Sequence, residues 1–119
     1  MQNAADTDWV IEVTDATFEE EVLERSNSVP VVVDFWAEWC QYCHVLAPHL
    51  VAQARERAGA FVLAKINVDE NPEWAGQMQI SGLPAVRVLH GQQMVDGFDG
   101  ALPEDSVREF IDRILPSEI

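Results

Sequence analysis

The amino-acid sequence predicts an α/β protein, a three-layer α/β/α sandwich with a central mixed five-stranded sheet. Segments of strand type alternate with segments of helical periodicity, and this alternation indicates parallel strands joined by helical crossovers. Two of the strand segments, residues 31–37 and 61–68, are almost wholly apolar, as expected for strands covered by helices on both faces. Alternating residues near the carboxyl end predict a hairpin that adds antiparallel strands to the same sheet.

The first two elements are a short strand over residues 9–13 and a helix that follows it. Thr17 and Glu20 form an S/T-x-x-E pattern, which predicts a capping box at the start of this helix. Phe18 and Val22 are one helical turn apart and are expected on its buried side.

The central strand, residues 31–37, is followed by the longest helix. Cys40 opens this helix, which is expected to extend to about Ala58 and to end at Gly59. Pro48 lies inside it and is expected to kink it, because proline lacks an N–H and its ring clashes with the preceding turn. The core-facing stripe is expected to consist of Cys43, Leu46, Leu50 and Ala54.

The second half of the chain contains the remaining elements. In chain order they are a strand over residues 61–68, a short helix over 71–79, a turn over 81–84, hairpin strands over 85–89 and 93–98, and a helix over 103–115. Pro72 occupies the first turn of the short helix, and the hairpin turns near His90-Gly91. The last helix has an apolar stripe at Val107, Phe110, Ile111 and Ile114.

The acidic balance of the chain argues against one large class of function. Asp and Glu total 21 against 7 Lys and Arg, which gives a formal net charge of −14. Binding to nucleic acid requires a basic surface that neutralises phosphates, so a nucleic-acid role is not expected. The acidic surface is interpreted as a source of solubility.

Length and hydropathy indicate one domain over residues 1–119, with residues 1–8 as a loose amino-terminal extension. Residues 1–30 contain no basic start followed by an apolar stretch. No segment approaches the roughly 18 apolar residues of a membrane span. A soluble, cytoplasmic protein that does not associate with membranes is therefore expected.

The segment WCQYCH, residues 39–44, contains the only cysteines of the sequence, Cys40 and Cys43. Their spacing is compatible with a reversible disulfide, half of a zinc site or the C-x-x-C-H attachment of haem. Haem attachment requires a large cavity, whereas these cysteines lie between a buried strand and its packed helix. A structural zinc site needs four ligands, and only three histidines and no further cysteines remain. Redox chemistry without a metal is the favoured interpretation.

Cys40 and Cys43 are expected to act as a nucleophile and a resolving thiol. Cys40 lies at the carboxyl end of a central strand and at a helix amino terminus, where aligned peptide dipoles stabilise a thiolate. Cys43, one turn later, can attack the mixed disulfide formed at Cys40. His44 is interpreted as a polar residue on the exposed side of the helix, and His49 and His90 as structural or surface residues.

Two charged residues interrupt the apolar strands. Asp34 is the lone acid in VVVDFWA, and burial would raise its pKa and make it a proton acceptor for Cys43. The alternative is a strand end at which Asp34 faces water. Lys65 either lies beside Asp34 and stabilises its charge or extends to solvent from a strand edge. Pro84, between a turn and a strand, is compatible with a cis or a trans peptide bond.

The chain resembles the thioredoxin family from about residue 9 to residue 115. The matching segments are VVVDFWAEWC, the C-x-x-C pair followed by Ala47-Pro48, KINVDENP, Gly82-Leu83-Pro84 and Gly100-Ala101-Leu102. The resemblance implies a thioredoxin fold, a cis peptide bond before Pro84 and the activity of a thiol–disulfide oxidoreductase.

The resemblance also implies a role for each site residue. Cys40 would be the nucleophile, Cys43 the resolving cysteine and Asp34 the buried proton acceptor, assisted by Lys65, with Trp36 packed beside the site. The redox-active disulfide would replace any cofactor, protein disulfides would be the substrates, and a thioredoxin reductase would be a partner. The substrate groove would be formed by Trp39, Gln41, Tyr42, Leu83, Pro84, Gly100 and Ala101.

Two features separate the chain from a typical family member. Gln41-Tyr42 stands between the cysteines where thioredoxins typically carry Gly-Pro, and His44 stands where a lysine is common. Residues 91–116 are similar to the end of the thioredoxin-like domain in bacterial co-chaperones of the chaperedoxin type, which continue into tetratricopeptide repeats. This second resemblance implies an alternative function, an interaction module that holds clients or a chaperonin and has secondary redox activity.

Overall fold

The structure, a computed structural model, describes residues 9–115, so the loose extension expected for residues 1–8 lies outside the described residues. The strands are β1 (Val10–Glu12), β2 (Val31–Trp36), β3 (Val62–Asn67), β4 (Ala85–His90) and β5 (Gln93–Asp99). The helices are α1, composed of a π-helical segment Glu19–Glu24 and a 3-10 turn Arg25–Asn27, then α2 (Gln41–Arg57), α3 (Pro72–Gln77) and α4 (Glu104–Ile114). Strands and helices alternate in the order that the sequence predicts.

The five strands of the described region form one mixed sheet in the order β1-β3-β2-β4-β5. β3 pairs in parallel with β1 and with β2, whereas β4 is antiparallel to β2 and to β5. β2 therefore occupies the centre of the sheet, and its carboxyl end leads into α2. The register places Asp34 of β2 opposite Lys65 of β3.

The sheet separates two apolar cores, because successive residues of a strand point to opposite faces. The core beneath α1 and α3 contains Phe18, Val22, Val31, Val33, Phe35 and Ala75. The core beneath α2 and α4 contains Val32, Leu46, Leu50, Ala54, Val107, Phe110 and Ile111. Helices thus cover both faces of the sheet, and the predicted three-layer α/β/α sandwich is confirmed.

The capping box predicted at Thr17 and Glu20 is wrong, because the reciprocal contacts form one turn earlier. Thr14 Oγ1 accepts a hydrogen bond from the N–H of Thr17 at 3.2 Å, and Thr17 Oγ1 accepts one from the N–H of Thr14 at 2.9 Å. A threonine hydroxyl thus takes the place that a glutamate carboxylate has in a capping box. Phe18 and Val22 are fully buried, as predicted.

α2 continues through Pro48 to Arg57, and its C-cap is Ala58, whose φ of 47° is left-handed. The sequence predicts the stop one residue later, at Gly59, which also has a positive φ of 92°. The predicted core stripe of α2 is buried throughout. α2 is consequently held along its length and presents a fixed amino terminus to the end of β2.

A two-residue turn, Gly91-Gln92, joins β4 to β5 close to the predicted position. Both residues have a positive φ, 62° and 64°, which is the requirement of a type I′ turn. The turn is bound to α1, because the N–H of Gly91 donates to the Ser26 carbonyl and the N–H of Gln92 donates to Ser26 Oγ, each at 2.8 Å. Ser26 is fully buried, and its Oγ donates to the Leu23 carbonyl.

α3 is only six residues long and receives its cap from a distant part of the chain. Asp15 Oδ1 accepts from the N–H of Trp74 at 3.2 Å, and Asp15 Oδ2 accepts from the N–H of Glu73 at 3.1 Å. In return, Asn71 Oδ1 accepts from the N–H of Asp15 at 2.9 Å. These bonds fix the helix that precedes the Leu83-Pro84 loop.

Candidate active site

Cys40 and Cys43 are joined by a disulfide at the junction of β2 and α2. Cys40 is the N-cap of α2, and its Sγ accepts a hydrogen bond from the N–H of Cys43 at 3.1 Å. The exposed fraction of Cys40 is 5%, against 2% for Cys43, so Cys40 is the more accessible of two largely covered cysteines. A helix amino terminus stabilises a thiolate that forms at this position when the disulfide is reduced.

Asp34 lies in the middle of β2 and is completely buried. Neither carboxyl oxygen has a hydrogen-bond partner. Burial raises the pKa of Asp34 from 3.8 to about 6, while the charge of Lys65 lowers this pKa and the charge of Glu12 raises it. The alternative of a solvent-facing Asp34 is wrong. A carboxyl group with this pKa can take up and release a proton near neutral pH.

Lys65 lies between two acids in the sheet. Its register partner in β2 is Asp34, and its register partner in β1 is Glu12. The Lys65 Nζ lies 5.1 Å from the centroid of the Trp36 ring, within the range of a cation–π contact. Lys65 is therefore beside Asp34, on an interior strand of the sheet and partly buried, and the alternative of a lysine at a strand edge is wrong.

A cavity of about 180 Å³ adjoins this group of charges. Its walls include Asp34, Trp36, Glu38, Cys43, His44 and Lys65. Asp34 and Cys43 therefore both line the same cavity. A proton can pass between these two groups directly or through a water molecule in that space.

A second depression, of about 240 Å³, adjoins the disulfide on an apolar surface. Its walls include Trp39, Val68, Ala75, Ile80, Ser81 and Leu83. Val68 and Leu83 also pack against the two cysteines. Trp39 is 69% exposed, and its Nε1 donates a hydrogen bond to Asp69 Oδ2 at 2.8 Å. An apolar segment next to a substrate disulfide can occupy this depression.

Three further residues predicted for the groove, Pro84, Gly100 and Ala101, lie outside this depression. The peptide bond between Leu83 and Pro84 is cis, as the family resemblance implies. The Pro84 carbonyl accepts a hydrogen bond from the N–H of Gly100 at 2.8 Å. Ala101, next in the chain, packs against the core beneath α2 and α4. Gly100 therefore supports the Pro84 segment, and neither Gly100 nor Ala101 lines either of the two depressions.

Gln41 and Tyr42, between the cysteines, are both exposed, and Tyr42 is 67% exposed. They lie on the first turn of α2, at the surface beside the disulfide. Trp36 packs against the cysteine pair, as predicted. The structure thus brings the predicted nucleophile, resolving cysteine, acid, lysine and tryptophan into one site.

Several residues of the site region were not predicted from the sequence, among them three acids and a histidine. Asp69 accepts the Trp39 hydrogen bond, Glu12 acts on Asp34 across β3, and Glu38 and His44 line the cavity. The signal for Asp69 is its place in the segment KINVDENP, four residues after Lys65. The other three look like ordinary polar surface residues in the sequence.

In the described region, residues 9–115, no three His, Cys, Asp or Glu side chains converge in a way that could hold a metal ion. Among the helices of the same region, none is long and apolar enough to cross a membrane.

The sequence is similar to a described protein family and to several known proteins. Residues 9–113 match the family model described as Thioredoxin. Thioredoxin 1 of Nostoc sp. is 39% identical over 104 residues, which cover 87% of this chain and 95% of that protein. The thioredoxin of Chlorobaculum thiosulfatiphilum is 41% identical over 101 residues, 85% of this chain and 92% of that protein. The thioredoxin of Buchnera aphidicola subsp. Schizaphis graminum is 40% identical over 103 residues, 87% and 94% of the two chains.

Proposed function

The chain belongs to the thioredoxin family and is a thiol–disulfide oxidoreductase, and from this premise we propose how its residues divide the exchange of protein disulfides. The proposal rests above all on one observation. A Cys40–Cys43 disulfide at a helix amino terminus shares a cavity with a buried, unpartnered Asp34 carboxyl group.

In the first step, the Cys40 thiolate attacks a substrate disulfide. An S–S bond forms between Cys40 and one substrate sulfur, and the other substrate sulfur leaves as a thiolate that takes a proton from water. Cys40 is suited to this step by its position as the N-cap of α2, where free backbone N–H groups stabilise negative charge.

In the second step, Cys43 resolves the mixed disulfide. The carboxylate of Asp34, which lines the same cavity as Cys43, accepts the thiol proton of Cys43. The Cys43 thiolate attacks Cys40 Sγ, the intramolecular disulfide forms, and the second substrate sulfur leaves with the bonding electron pair and takes up a proton. Lys65 stabilises the carboxylate of Asp34 and so maintains it as a base.

Substrate binding is assigned to the apolar surface around the disulfide. Trp39 and Leu83 form walls of the 240 Å³ depression, and Trp36 supports the cysteine pair from below. The Leu83–Pro84 segment is assigned to backbone contact with an extended substrate, and Gly100 holds this segment in place through the Pro84 carbonyl. The residues assigned to contact with the substrate are Trp39, Gln41, Tyr42, Leu83 and Pro84. Gly100 and Ala101, which line neither depression, are assigned a supporting role behind them.

The order of the two cysteines is tested by alkylation of the reduced protein. We expect a substoichiometric thiol reagent at neutral pH to modify Cys40 first, because the α2 amino terminus favours its thiolate and Cys43 lies deeper. The measurement is time-resolved labelling with peptide mapping. As a paired test, Cys43→Ser should accumulate a mixed disulfide with substrate, whereas Cys40→Ser should accumulate none. Preferential labelling of Cys43 contradicts the assignment.

For the cell, we propose a cytoplasmic enzyme that is reduced by a thioredoxin reductase. This follows the roles implied by the family and the sequence-based expectation of a cytoplasmic protein. Transfer of electrons from NADPH through a purified reductase, followed as NADPH consumption, tests the partner. An oxidised protein that a reductase leaves unchanged, yet that a dithiol reduces, excludes this electron donor.

A second function, client or chaperonin binding, is favoured by the similarity of residues 91–116 to chaperedoxin-type co-chaperones. Met94 and Val95 on β5, 58% and 54% exposed, supply an apolar surface for this function. The discriminating protein is the double variant Cys40→Ser/Cys43→Ser, which cannot exchange disulfides. If it suppresses client aggregation as well as the wild type, a holding function independent of redox chemistry is supported. If it has no such effect, this second function is excluded.

A further inference from the structure

The cavity beside Asp34 connects a completely buried acid with two exposed residues, Glu38 and His44. Its volume of about 180 Å³ is well above the roughly 10–15 Å³ that one water molecule requires. In the described region, the buried side-chain atoms without a hydrogen-bond partner are both Asp34 oxygens and Trp36 Nε1. All three belong to residues that line this cavity, which makes it a polar space suited to water.

His44 lies on the rim of the cavity in a defined orientation. Its Nε2 is 2.8 Å from the backbone carbonyl oxygen of Glu38. A carbonyl oxygen only accepts hydrogen bonds, so Nε2 carries the hydrogen of this contact and the lone pair of Nδ1 is left available as an acceptor. An edge contact with Trp36, with ring centroids 6.1 Å apart, also positions the imidazole ring.

The ionisable groups around the cavity differ in what they can do with a proton. Asp34 can accept one from Cys43 but has no exposed surface through which to release it. Lys65 is a cation held over Trp36, and Glu12 acts on Asp34 from the far side of β3. Glu38 lies on the rim with His44, and its carbonyl oxygen orients the ring. An imidazole is the side chain best suited to proton exchange at neutral pH.

We propose that His44 relays protons between Asp34 and the solvent through water in this cavity. The inference rests on the role proposed above for Asp34. In each turnover, the Cys43 thiol gives one proton to the Asp34 carboxylate as Cys43 attacks Cys40. The protonated Asp34 then passes this proton through water to His44 Nδ1, and His44 releases it to bulk solvent. Asp34 returns to its carboxylate form, and no electrons move in the relay.

The test compares His44→Gln with a matched control, His90→Gln. Glutamine at position 44 retains an N–H donor for the Glu38 carbonyl but cannot relay a proton, and His90 is an exposed imidazole at the end of β4. Reduction of insulin disulfides is followed from pH 5.5 to 8.5 in dilute buffer. We expect His44→Gln to lower the rate near pH 7 by about 3- to 10-fold, a modest share of what acid–base groups contribute. His90→Gln should leave the rate unchanged.

Addition of imidazole to the buffer distinguishes a relay from a structural role. Free imidazole should restore the rate of His44→Gln and should have no effect on the wild type. A loss that imidazole does not restore, with a pH profile of unchanged shape, overturns the proposal, as does a wild-type rate for His44→Gln.

The variant Asp34→Asn distinguishes a failure of the His44 relay from a failure of the proton-acceptor role proposed for Asp34. If Asp34→Asn slows exchange and the added change His44→Gln slows it no further, both proposals are supported. If Asp34→Asn slows exchange but His44→Gln alone does not, only the relay is wrong. If Asp34→Asn keeps the full rate, the role proposed for Asp34 is itself wrong, and the relay is rejected with it.

Discussion

Asp34 combines complete burial with the absence of a partner for either carboxyl oxygen. An ionised carboxylate in such a position costs several kcal/mol, which is why its pKa rises to about 6. Ionisation of Asp34 therefore opposes folding at neutral pH, and the position favours proton transfer at the expense of stability. Cys43 and His44 line the same cavity, and in the proposed mechanism they are the groups that exchange a proton with Asp34.

This arrangement makes stability depend on pH in a defined direction. The folded pKa of Asp34 is raised above the value of 3.8 expected when unfolded, so the folded state binds the extra proton between about pH 4 and pH 6. The stabilisation is present below pH 4 and is lost as the pH rises through 6. Asp34→Asn cannot ionise. Its free energy of unfolding should rise relative to that of the wild type by about 2 kcal/mol between pH 4 and pH 8. The full shift of about two pKa units corresponds to ~3 kcal/mol, and part of it lies below pH 4, where the unfolded carboxyl begins to ionise.

Chemical denaturation of the oxidised proteins at both pH values measures this difference. Asp105→Asn is the matched control, because its side chain is 90% exposed and the variant removes the same charge. If the two variants show the same pH dependence, the predicted cost of ionising Asp34 is refuted. The exchange rate of Asp34→Asn should fall in the same preparations, since the amide cannot accept the Cys43 proton.

At the residue scale, the sequence reveals residues that violate a local pattern. Asp34 and Lys65 stand out because each interrupts an apolar strand. Glu12 and Asp69 do not stand out in the same way, because the role of each comes from a partner far away in the sequence. Glu12 acts through the β1–β3–β2 register, and Asp69 acts through Trp39.

At the scale of elements, strands and helices were predictable where the pattern was long and were less so at their ends. The core stripe of α2 and the apolar run of β2 are both confirmed, because the residues of that stripe and the first five residues of β2 are buried. The start of α1 was misassigned, because Thr14 and Thr17 satisfy each other before Glu20 can take part. The cap of α3 at Asp15 joins residues more than fifty positions apart, which a local pattern cannot show.

Two glycines in different elements should respond to alanine in opposite directions. A Cβ at Gly97 of β5 would lie 2.7 Å from the Val86 carbonyl oxygen on β4, and this backbone contact cannot move easily. Gly97→Ala should therefore lower the free energy of unfolding by about 1–3 kcal/mol through overpacking. Gly76 lies inside α3 with no heavy atom within 4 Å of such a Cβ, so Gly76→Ala should raise it by about 0.5–1 kcal/mol.

Urea denaturation of the two variants beside the wild type measures both effects under one condition. A neutral or stabilising result for Gly97→Ala would show that β4 and β5 can separate at this position. A destabilising result for Gly76→Ala would show that α3 does not behave as an ordinary helix.

The whole molecule is strongly anionic, with a formal net charge of −14. A field of this sign attracts cationic partners and repels anionic ones, and salt screens it over about 10 Å at 0.1 M. The arginines do little to change it locally, since Arg57, Arg87, Arg108 and Arg113 each pair with an acid. We therefore expect the charge around a substrate disulfide to influence how fast the substrate is reduced.

Two peptide disulfides with the same apolar core, one flanked by lysines and one by glutamates, test this expectation. At about 10 mM salt, where the screening length is about 30 Å, the lysine-flanked peptide should be reduced at least about 10-fold faster. The ratio should approach one at about 500 mM salt. Equal rates at low salt would show that local contacts at the apolar surface, and not the overall field, control association.

The bond pair between Ser26 and the Gly91-Gln92 turn bears on how the protein can be engineered. Tips of hairpins are common places to insert peptide tags or fused domains, because such loops usually have exposed and unbound backbone. Here the backbone of the tip is hydrogen-bonded to the buried Ser26. An insertion between Gly91 and Gln92 would break both hydrogen bonds and leave the Ser26 carbonyl and Oγ without these donors. The Gly91-Gln92 turn is therefore a poor site for an inserted segment, although it is the tip of a hairpin. A reporter or affinity tag should be inserted elsewhere, away from both the Ser26 hydrogen bonds and the disulfide.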